Sequence, residues 1–318
     1  MRPFKGRDFL TLMDYTRDEI LRIVDLADEL KEKHYKGERH DYLQGKTIAM
    51  IFEKHSTRTR LSFQAGAAHL GMQAFYMDPS SMQISRGESF ADTARVVDRY
   101  VDALVIRTFE QEIVEDFARY MKKPVINALT NESHPCQLLA DIQHIREKKG
   151  RLHDLKIGYV GDVWNMAHSW GIASAIFGWK MVYALPAGYE SRFWPRAKEF
   201  IEKTNRETGV SFRMTQDLRE AITDADIVVG ITFVSMIRGG DEEENRRKLK
   251  DFMPYQINSE VMSWAKKDAI YMHCLPAHRG EEVTDEVIEG PQSFVFDEAE
   301  NRMHTEKALL ALLLGGVQ

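Results

Sequence analysis

The chain has 318 residues, of which 43% are hydrophobic and 29% charged, and its formal net charge is -6 at pH 7. This length favours two domains, and the composition is ordinary for a globular enzyme. The negative net charge argues against nucleic acid as the main partner, so any anionic ligand would have to be held by local cationic side chains.

The first half of the chain alternates helical and strand patterns. Thr16 and Glu19 form a predicted capping box, and apolar residues follow at helical spacing as far as Leu30. Beyond this helix, apolar runs predict strands at 47–52, 73–77, 103–107 and 124–127, and amphipathic runs predict helices at 56–70, 89–100 and 110–121. This alternation is typical of a parallel sheet covered by helices.

A cationic stretch at 146–151 interrupts the pattern after a predicted helix from about Cys136 to Glu147, and we interpret it as the domain junction. A second alternation follows, with strands predicted near 155–160, 180–185, 211–214, 226–230 and 269–273. The final helix, 305–314, is apolar on most faces, so we expect it to be buried.

The predicted fold is therefore α/β, with two domains that each contain a parallel sheet flanked by helices. We expect the first domain to span 1–148 and to be completed by a C-terminal helix, 303–318, which packs back on it; the second domain would span 149–302. Gly158 and Gly161 begin a pattern typical of dinucleotide-binding turns, but the pattern is not completed, so a dehydrogenase is the least favoured class of enzyme.

Residues 52–60 form the most informative segment. A predicted strand leads directly into Ser56, Thr57, Arg58 and Thr59 at the start of a predicted helix. Free backbone N–H groups and the helix dipole favour an anion there, and the hydroxyls and the guanidinium would complete a phosphate site. The alternative is that Ser56 caps the helix and surface arginines follow it. Five consecutive donor-bearing residues favour the phosphate site.

Other polar side chains occur at predicted strand ends or helix starts. Arg107 could cap the sheet edge or hold a phosphate or carbonyl group. His134 and Gln137 flank a predicted helix start and could bind a carbonyl oxygen and an amide. Cys274 is more typical of a small, polarizable side chain that lines a pocket than of a nucleophile. Arg302, placed just before the final helix, would by itself be a solvated charge. Together these groups suit a small, highly charged acyl phosphate.

The sequence shows no metal-ligand spacing, so no metal is expected, and no Ser/His/Asp arrangement for nucleophilic catalysis stands out. No cofactor is expected either. The opening residues are charged, and the longest apolar run, 308–314, is too short to span a bilayer, so neither secretion nor a membrane partner is indicated. Only two cysteines occur, Cys136 and Cys274, which fits a reduced compartment. We therefore expect a cytoplasmic protein.

These motifs resemble the aspartate/ornithine carbamoyltransferase family nearly end to end. Ser-Thr-Arg-Thr-Arg at 56–60 resembles the family's carbamoyl phosphate loop, while His-Pro-Cys-Gln at 134–137 and His-Cys-Leu-Pro at 273–276 resemble its ornithine branch. The resemblance implies transfer of the carbamoyl group from carbamoyl phosphate to the side-chain amine of ornithine, giving citrulline and phosphate, with no covalent enzyme intermediate. It also implies a homotrimer.

The resemblance further implies a role for each matching residue. Carbamoyl phosphate would be bound by Ser56, Thr57, Arg58, Thr59, Gln83, Arg107, His134, Gln137 and Arg302. Arg107 and His134 would polarise the carbamoyl carbonyl, and the loop carrying Gln83 and Arg86 would reach a neighbouring subunit's site. The amino acid would be bound by residues of the second domain: Asn165, Ile231, Ser235, Met236, Cys274 and Leu275. Cys274 and Leu275 would line the path of the attacking amine, and Cys274 would join Arg107 and His134 as a catalytic residue.

One position departs from the family pattern. Ornithine enzymes typically carry an Asp shortly before a Ser-Met-Gly loop, and this chain has Ile231 there, although Ser235 and Met236 match. In a dry pocket, losing that carboxylate could cost on the order of 2–4 kcal/mol of binding to an ammonium group. Asp241, Glu242 or Glu243 could substitute for it. The alternatives to ornithine are therefore putrescine, lysine or an N-modified ornithine, or a catalytically silent carbamoyl phosphate-binding protein.

Overall fold

The computed structural model describes residues 2–209, 211–234 and 242–317. The chain divides into two compact units: the residues up to Gln143 join those from Glu300 onward, and His144–Ala299 form the other unit. Each unit is built on a parallel sheet flanked by helices, as predicted. Within the described ranges, no helix combines the length and the apolar character that crossing a membrane requires.

The first sheet has four parallel strands in the order β2–β1–β3–β4. Its strands are β1 (Thr47–Phe52), β2 (Gln73–Met77), β3 (Ala103–Arg107) and β4 (Val125–Leu129). The helices of this half of the chain are α1 (Arg17–Tyr35), α2 (Arg58–His69), α3 (Phe90–Tyr100), α4 (Gln111–Tyr120) and α5 (Pro135–Lys149). Apolar residues of β1 and β3 pack against α3 and α4 in one buried cluster that includes Ile51, Leu104 and Phe117.

The second sheet has five parallel strands in the order β7–β6–β5–β8–β9. Its strands are β5 (Lys156–Val160), β6 (Lys180–Ala184), β7 (Phe212–Thr215), β8 (Ile227–Gly230) and β9 (Ile270–Met272). The helices that follow α5 are α6 (Asn165–Phe177), α7 (Pro195–Thr208), α8 (Leu218–Ile222), α9 (Glu242–Phe252), α10 (Ser259–Ser263), α11 (Asp285–Ile288) and α12 (Val295–Leu313).

The predicted strands are confirmed to within two residues at each end. The predicted capping box also forms: the Glu19 amide donates to Thr16 Oγ1 at 3.3 Å, and the Thr16 amide donates to Glu19 Oε2 at 3.0 Å. Strand bounds and helix starts are therefore predicted well where an apolar run has clear ends or a capping motif is present. Short-range steric contacts and hydrogen bonds determine both kinds of structure.

The predicted start of the last helix is wrong. α12 begins at Val295, whereas we expected a start at 305, so Arg302 lies inside the helix rather than before it. The polar run before 305 looked solvated, but acidic residues such as Asp297 and Glu298 are favourable in a first helical turn. The apolar end of α12 is buried, as expected, and it meets the first unit where the Gly6 amide donates to the Leu313 carbonyl at 2.9 Å.

The start of the second sheet is fixed by one buried carboxylate. Asp226, only 1% exposed, accepts hydrogen bonds from Arg151 Nη2 at 3.0 Å, from Lys266 Nζ at 2.9 Å and from the Lys156 amide at 2.9 Å. Because Lys156 opens β5 and Asp226 immediately precedes β8, this side chain ties two neighbouring strands together.

We expect Asp226→Ala to lower the free energy of unfolding by about 3 kcal/mol, because it leaves a partly buried amide and two partly exposed cations without their shared acceptor. Urea unfolding followed by circular dichroism measures this loss. The matched control is Asp268→Ala, which removes an exposed partner of Lys149 and should cost less than about 1 kcal/mol. Equal losses in the two variants would contradict the assignment.

Candidate active site

Three neighbouring strands of the first sheet end at one edge, and the candidate residues lie there. β1 and β3 are adjacent and pair Phe52 with Arg107, and the Glu53 amide donates to the Arg107 carbonyl at 2.8 Å. The next strand, β4, ends five residues before His134. Since parallel strands end on the same side of a sheet, this edge gathers the 53–59 segment, Arg107 and His134.

The start of α2 carries the predicted phosphate-binding segment. Ser56 Oγ accepts a hydrogen bond from the Thr59 amide at 3.2 Å, so Ser56 acts as a local cap, as the alternative interpretation allowed. The exposed Thr57 makes no capping hydrogen bond with its side chain, and Arg58 is half-buried. Arg60 points elsewhere, because its guanidinium stacks over the Tyr76 ring at 3.7 Å.

Arg302 joins three helices of the first unit through its guanidinium. The side chain is 2% exposed; Nη1 donates to Gln137 Oε1 at 2.8 Å, and Nη2 donates to Thr59 Oγ1 at 3.3 Å. Nε and Nη2 both donate to Glu306 Oε1, at 3.1 and 2.8 Å. Arg302 is therefore held by α2, α5 and its own helix, α12, rather than being the solvated charge that its local sequence suggested.

Glu306 was missed by the sequence analysis, because an acidic side chain in an apolar helix shows no partner in the sequence. Burial raises the pKa of the Glu306 carboxyl above its ordinary value, and the positive charge of Arg302 opposes that rise. Gln137 is fixed in the same network, since its Nε2 donates to Asp141 Oδ1 at 2.8 Å. The amide of Gln137 is thus oriented from both ends.

His134 lies where the positive charges of the site converge. Its pKa is lowered well below the ordinary range, first by burial and then by the positive charges of Arg302, Arg107 and Arg58. The imidazole is therefore neutral at neutral pH and can donate a hydrogen bond to a carbonyl oxygen. A neutral donor among three guanidiniums suits a ligand that carries both a carbonyl group and a dianionic phosphate.

Lys54 is a further cation at this edge that the sequence analysis missed. The side chain is 8% exposed, its Nζ donates to Asn131 Oδ1 at 2.8 Å, and it lies 4.4 Å from the centre of the Phe109 ring. Burial, and then the charge of Arg107, lower the pKa of Lys54 to about 7. Lys54 follows the end of β1 as Arg107 ends β3, so the same sequence signal, a cation at a strand end, identifies both residues.

The second sheet also gathers its candidate residues at one edge. Asn165 opens α6 after β5, Ile231 directly follows β8, and Cys274 and Leu275 follow β9; these strands are neighbours in the order β5–β8–β9. Asn165 is buried, while Cys274 and Leu275 are half-buried. Ser235 and Met236, predicted to hold the amino acid, lie outside the described residues, as does Asp241.

Ile231 packs into the second unit as a core residue. It is 8% exposed, and its amide donates to the Val160 carbonyl at 3.0 Å. Its side chain covers Gly161, where a Cβ atom would collide with Ile231 Cγ2. Gly161 also has a φ of +136°, which other residues rarely adopt. The buried carboxylate beside Gly161 is Asp162, which is ion-paired with the buried Lys248. Glu242 and Glu243, suggested as substitutes for the missing Asp, are exposed at the start of α9.

The turn that carries Cys274 is held by His273 and Glu298. His273 Nδ1 accepts a hydrogen bond from the Leu275 amide at 2.9 Å, and the His273 amide donates to Glu298 Oε2 at 3.0 Å. Leu275 has a φ of 55°, in the left-handed region that non-glycine residues rarely adopt. The other cysteine, Cys136, is fully buried; burial raises the pKa of its thiol, which donates to the Asn127 carbonyl at 3.4 Å.

The chain is thus an α/β protein with two parallel sheets, and cationic side chains gather at one edge of the first sheet. The sequence model of the aspartate/ornithine carbamoyltransferase carbamoyl-P binding domain matches residues 7–147, and that of the Asp/Orn binding domain matches residues 153–313. These matches cover most of the chain. The chain therefore belongs to the aspartate/ornithine carbamoyltransferase family.

Individual relatives agree with this assignment. Ornithine carbamoyltransferase from Thermococcus kodakarensis is 49% identical over 98% of both chains. The protein of the same name from Anoxybacillus flavithermus is 50% identical over 98% of this chain and 97% of its own. The solved ornithine carbamoyltransferase from Pyrococcus furiosus superposes with a TM-score of 0.93 at 47% identity and covers 100% of both chains.

The lowered pKa of Lys54 predicts pH-dependent anion binding. We expect the affinity for sulfate, which stays dianionic over this range, to fall by up to about tenfold between one pH unit below and one above 7, because Lys54 loses its positive charge over this interval. Isothermal titration calorimetry measures the affinity. In Lys54→Met, sulfate should bind more weakly at the lower pH, and most of the pH dependence should disappear. An unchanged pH profile in Lys54→Met would contradict the prediction.

Proposed function

We propose that this chain transfers the carbamoyl group of carbamoyl phosphate to the side-chain amine of ornithine, giving citrulline and phosphate. The observation that carries the proposal is the electrostatic convergence of Arg58, Arg107 and Arg302 on the neutral, buried His134. Such a group fits a dianionic phosphate next to a polarised carbonyl. The names of the full-length relatives support ornithine as the acceptor.

In this proposal, the first unit binds carbamoyl phosphate and activates its carbonyl group. Ser56, Thr57, Arg58 and Thr59 hold the phosphate at the start of α2, where the helix dipole adds to their donors. Arg107 and His134 stabilise the negative charge that develops on the carbonyl oxygen. Arg302 completes the phosphate site and orients Gln137 towards the carbamoyl amide. Lys54 adds a cation whose charge responds to pH.

The chemical step is the attack of a neutral amine on the carbonyl carbon, followed by loss of phosphate from the tetrahedral intermediate. An alkyl amine is mostly protonated at neutral pH, so the site must favour its deprotonated form. Positioning and cationic stabilisation of the oxyanion then provide most of the rate enhancement. We assign Asn165, Ser235 and Met236 to the amino-acid substrate, and Cys274 and Leu275 to the wall along which the amine approaches.

A second candidate is the same reaction with a different amine as acceptor. It rests on Ile231, which replaces a carboxylate and is packed over Gly161 as a core residue. Putrescine, lysine and N-modified ornithines are the acceptors to compare with ornithine. A catalytically silent carbamoyl phosphate-binding protein is the remaining alternative, and a complete set of cationic groups at the carbonyl disfavours it.

The proposal also assigns one substrate to each domain and gives the protein an oligomeric state. Residues 1–148, with 303–318, would form the carbamoyl phosphate domain, and 149–302 the amino-acid domain. We further propose a cytoplasmic homotrimer. In it, the exposed segment with Gln83 and Arg86 would reach the site of a neighbouring subunit.

We expect Arg58→Ala to weaken carbamoyl phosphate binding by about tenfold to a hundredfold, because it removes a charge-assisted contact at the helix start while leaving the fold intact. Equilibrium binding and circular dichroism measure the two effects. Arg60→Ala is the matched control, since Arg60 stacks on Tyr76 and should contribute far less. A folded Arg58→Ala protein with unchanged affinity would overturn the phosphate assignment.

Phosphate release from carbamoyl phosphate should be fastest with ornithine in a panel that also contains N-acetylornithine, N-succinylornithine, lysine, putrescine and aspartate. We expect this order because the relatives act, by name, on ornithine. A preference for another amine would identify that amine as the acceptor. It would also indicate that Ile231 determines the change in substrate specificity. Tight carbamoyl phosphate binding without release for any amine would support the silent binding protein.

A further inference from the structure

Three potential metal ligands meet in the loop that follows β9, outside the site described above. His278 Nδ1 lies 3.9 Å from Glu281 Oε2 and 3.7 Å from Glu282 Oε2. One nitrogen and two carboxylate oxygens are thus all within 4.8 Å of one another, a grouping found once among the described residues. The proposed carbamoyl transfer uses none of these three side chains.

The separations are longer than direct hydrogen bonds, which join nitrogen and oxygen at about 2.7–3.2 Å. Zinc lies about 2.0–2.2 Å from histidine nitrogen and carboxylate oxygen, so two such ligands are about 3.3–3.8 Å apart at tetrahedral to trigonal angles. The 3.7 Å distance from His278 to Glu282 falls at the upper end of this range, and the 3.9 Å distance from His278 to Glu281 lies just beyond it. A small inward movement of His278 and Glu281, which are 33% and 38% exposed, would close the set around one ion.

Glu282 provides an independent indication of a ligand. Its side chain is 1% exposed, and Oε2, the oxygen that faces His278, has no hydrogen-bond partner within the described part of the chain. The other oxygen, Oε1, accepts a hydrogen bond from the His278 amide at 2.6 Å and lies 3.3 Å from His273 Nε2. A buried carboxylate oxygen without a partner is costly, and a cation would remove that cost.

We propose that His278, Glu281 and Glu282 form a binding site for a divalent transition-metal ion of the zinc class. One imidazole and two carboxylates are ligands that Zn²⁺ and Co²⁺ accept, and three protein ligands leave a position for water. The contact of Oε1 with His273 orients the Glu282 carboxylate, as an outer contact commonly does at metal sites. The competing explanation is an ion pair between protonated His278 and the two glutamates.

Metal binding here would also stiffen the turn that carries Cys274 and Leu275. His273 accepts from the Leu275 amide and lies beside Glu282, so an ion held by Glu282 would limit the movement of both residues. This effect concerns order in the second unit and does not depend on which amine the protein uses.

The test is titration of the full-length protein with Zn²⁺ alone by isothermal calorimetry, and with Co²⁺ followed by visible d–d absorption. We expect one ion per chain, and a loss of affinity of about tenfold or more in each of His278→Asn and Glu281→Gln. Both of these side chains are partly exposed, so the variants should fold. Glu282→Gln is less suitable because Glu282 is buried.

Two control variants separate the site from other ligands. His153→Asn removes an exposed histidine that is paired with Asp154, and Cys274→Ser removes the nearby thiol; both should retain wild-type Zn²⁺ affinity. Unchanged affinity in His278→Asn, or a loss confined to Cys274→Ser, would overturn the proposal. Absence of Zn²⁺ and Co²⁺ binding to the wild-type protein would favour the ion pair.

Discussion

The arrangement of the first unit depends on satisfying one buried guanidinium. Arg302 cannot lose its charge in a protein, so burying it requires acceptors on several sides. Glu306, Gln137 and Thr59 provide them, and each comes from a different helix. The start of α2, the start of α5 and the middle of α12 are therefore fixed relative to one another. The candidate phosphate-binding residues and Gln137 belong to those helix starts.

The same concentration of positive charge determines the chemistry available to the site. Burial lowers the pKa of His134, and the positive charges of three guanidiniums lower it further, so the imidazole is neutral and cannot act as an imidazolium acid at neutral pH. It can still donate a hydrogen bond to a carbonyl oxygen, whose developing charge the guanidiniums would stabilise. The electrostatics thus favour a reaction that builds charge on an oxygen atom over one that needs a strong general acid.

Much of the fold was predictable from the sequence, because bounded apolar runs report directly on buried parallel strands. The start of α12 was not, since nothing near Arg302 and Glu306 indicates that residues of α2 and α5 are their partners. Lys54 was overlooked for another reason: its importance comes from burial beside Arg107, which depends on strand order. His278, Glu281 and Glu282 were likewise passed over, because the turn that brings them together cannot be read from their spacing.

The lysine at the edge of the first sheet links ligand binding to proton balance. Near neutral pH the amine of Lys54 is protonated in only part of the molecules, whereas a bound dianion favours the protonated form. Occupying the site would therefore draw a fraction of a proton from the surrounding buffer. The heat of binding would then include the ionisation enthalpy of that buffer, so enthalpies obtained in phosphate-free buffers of different ionisation heats would differ even where the affinity is the same.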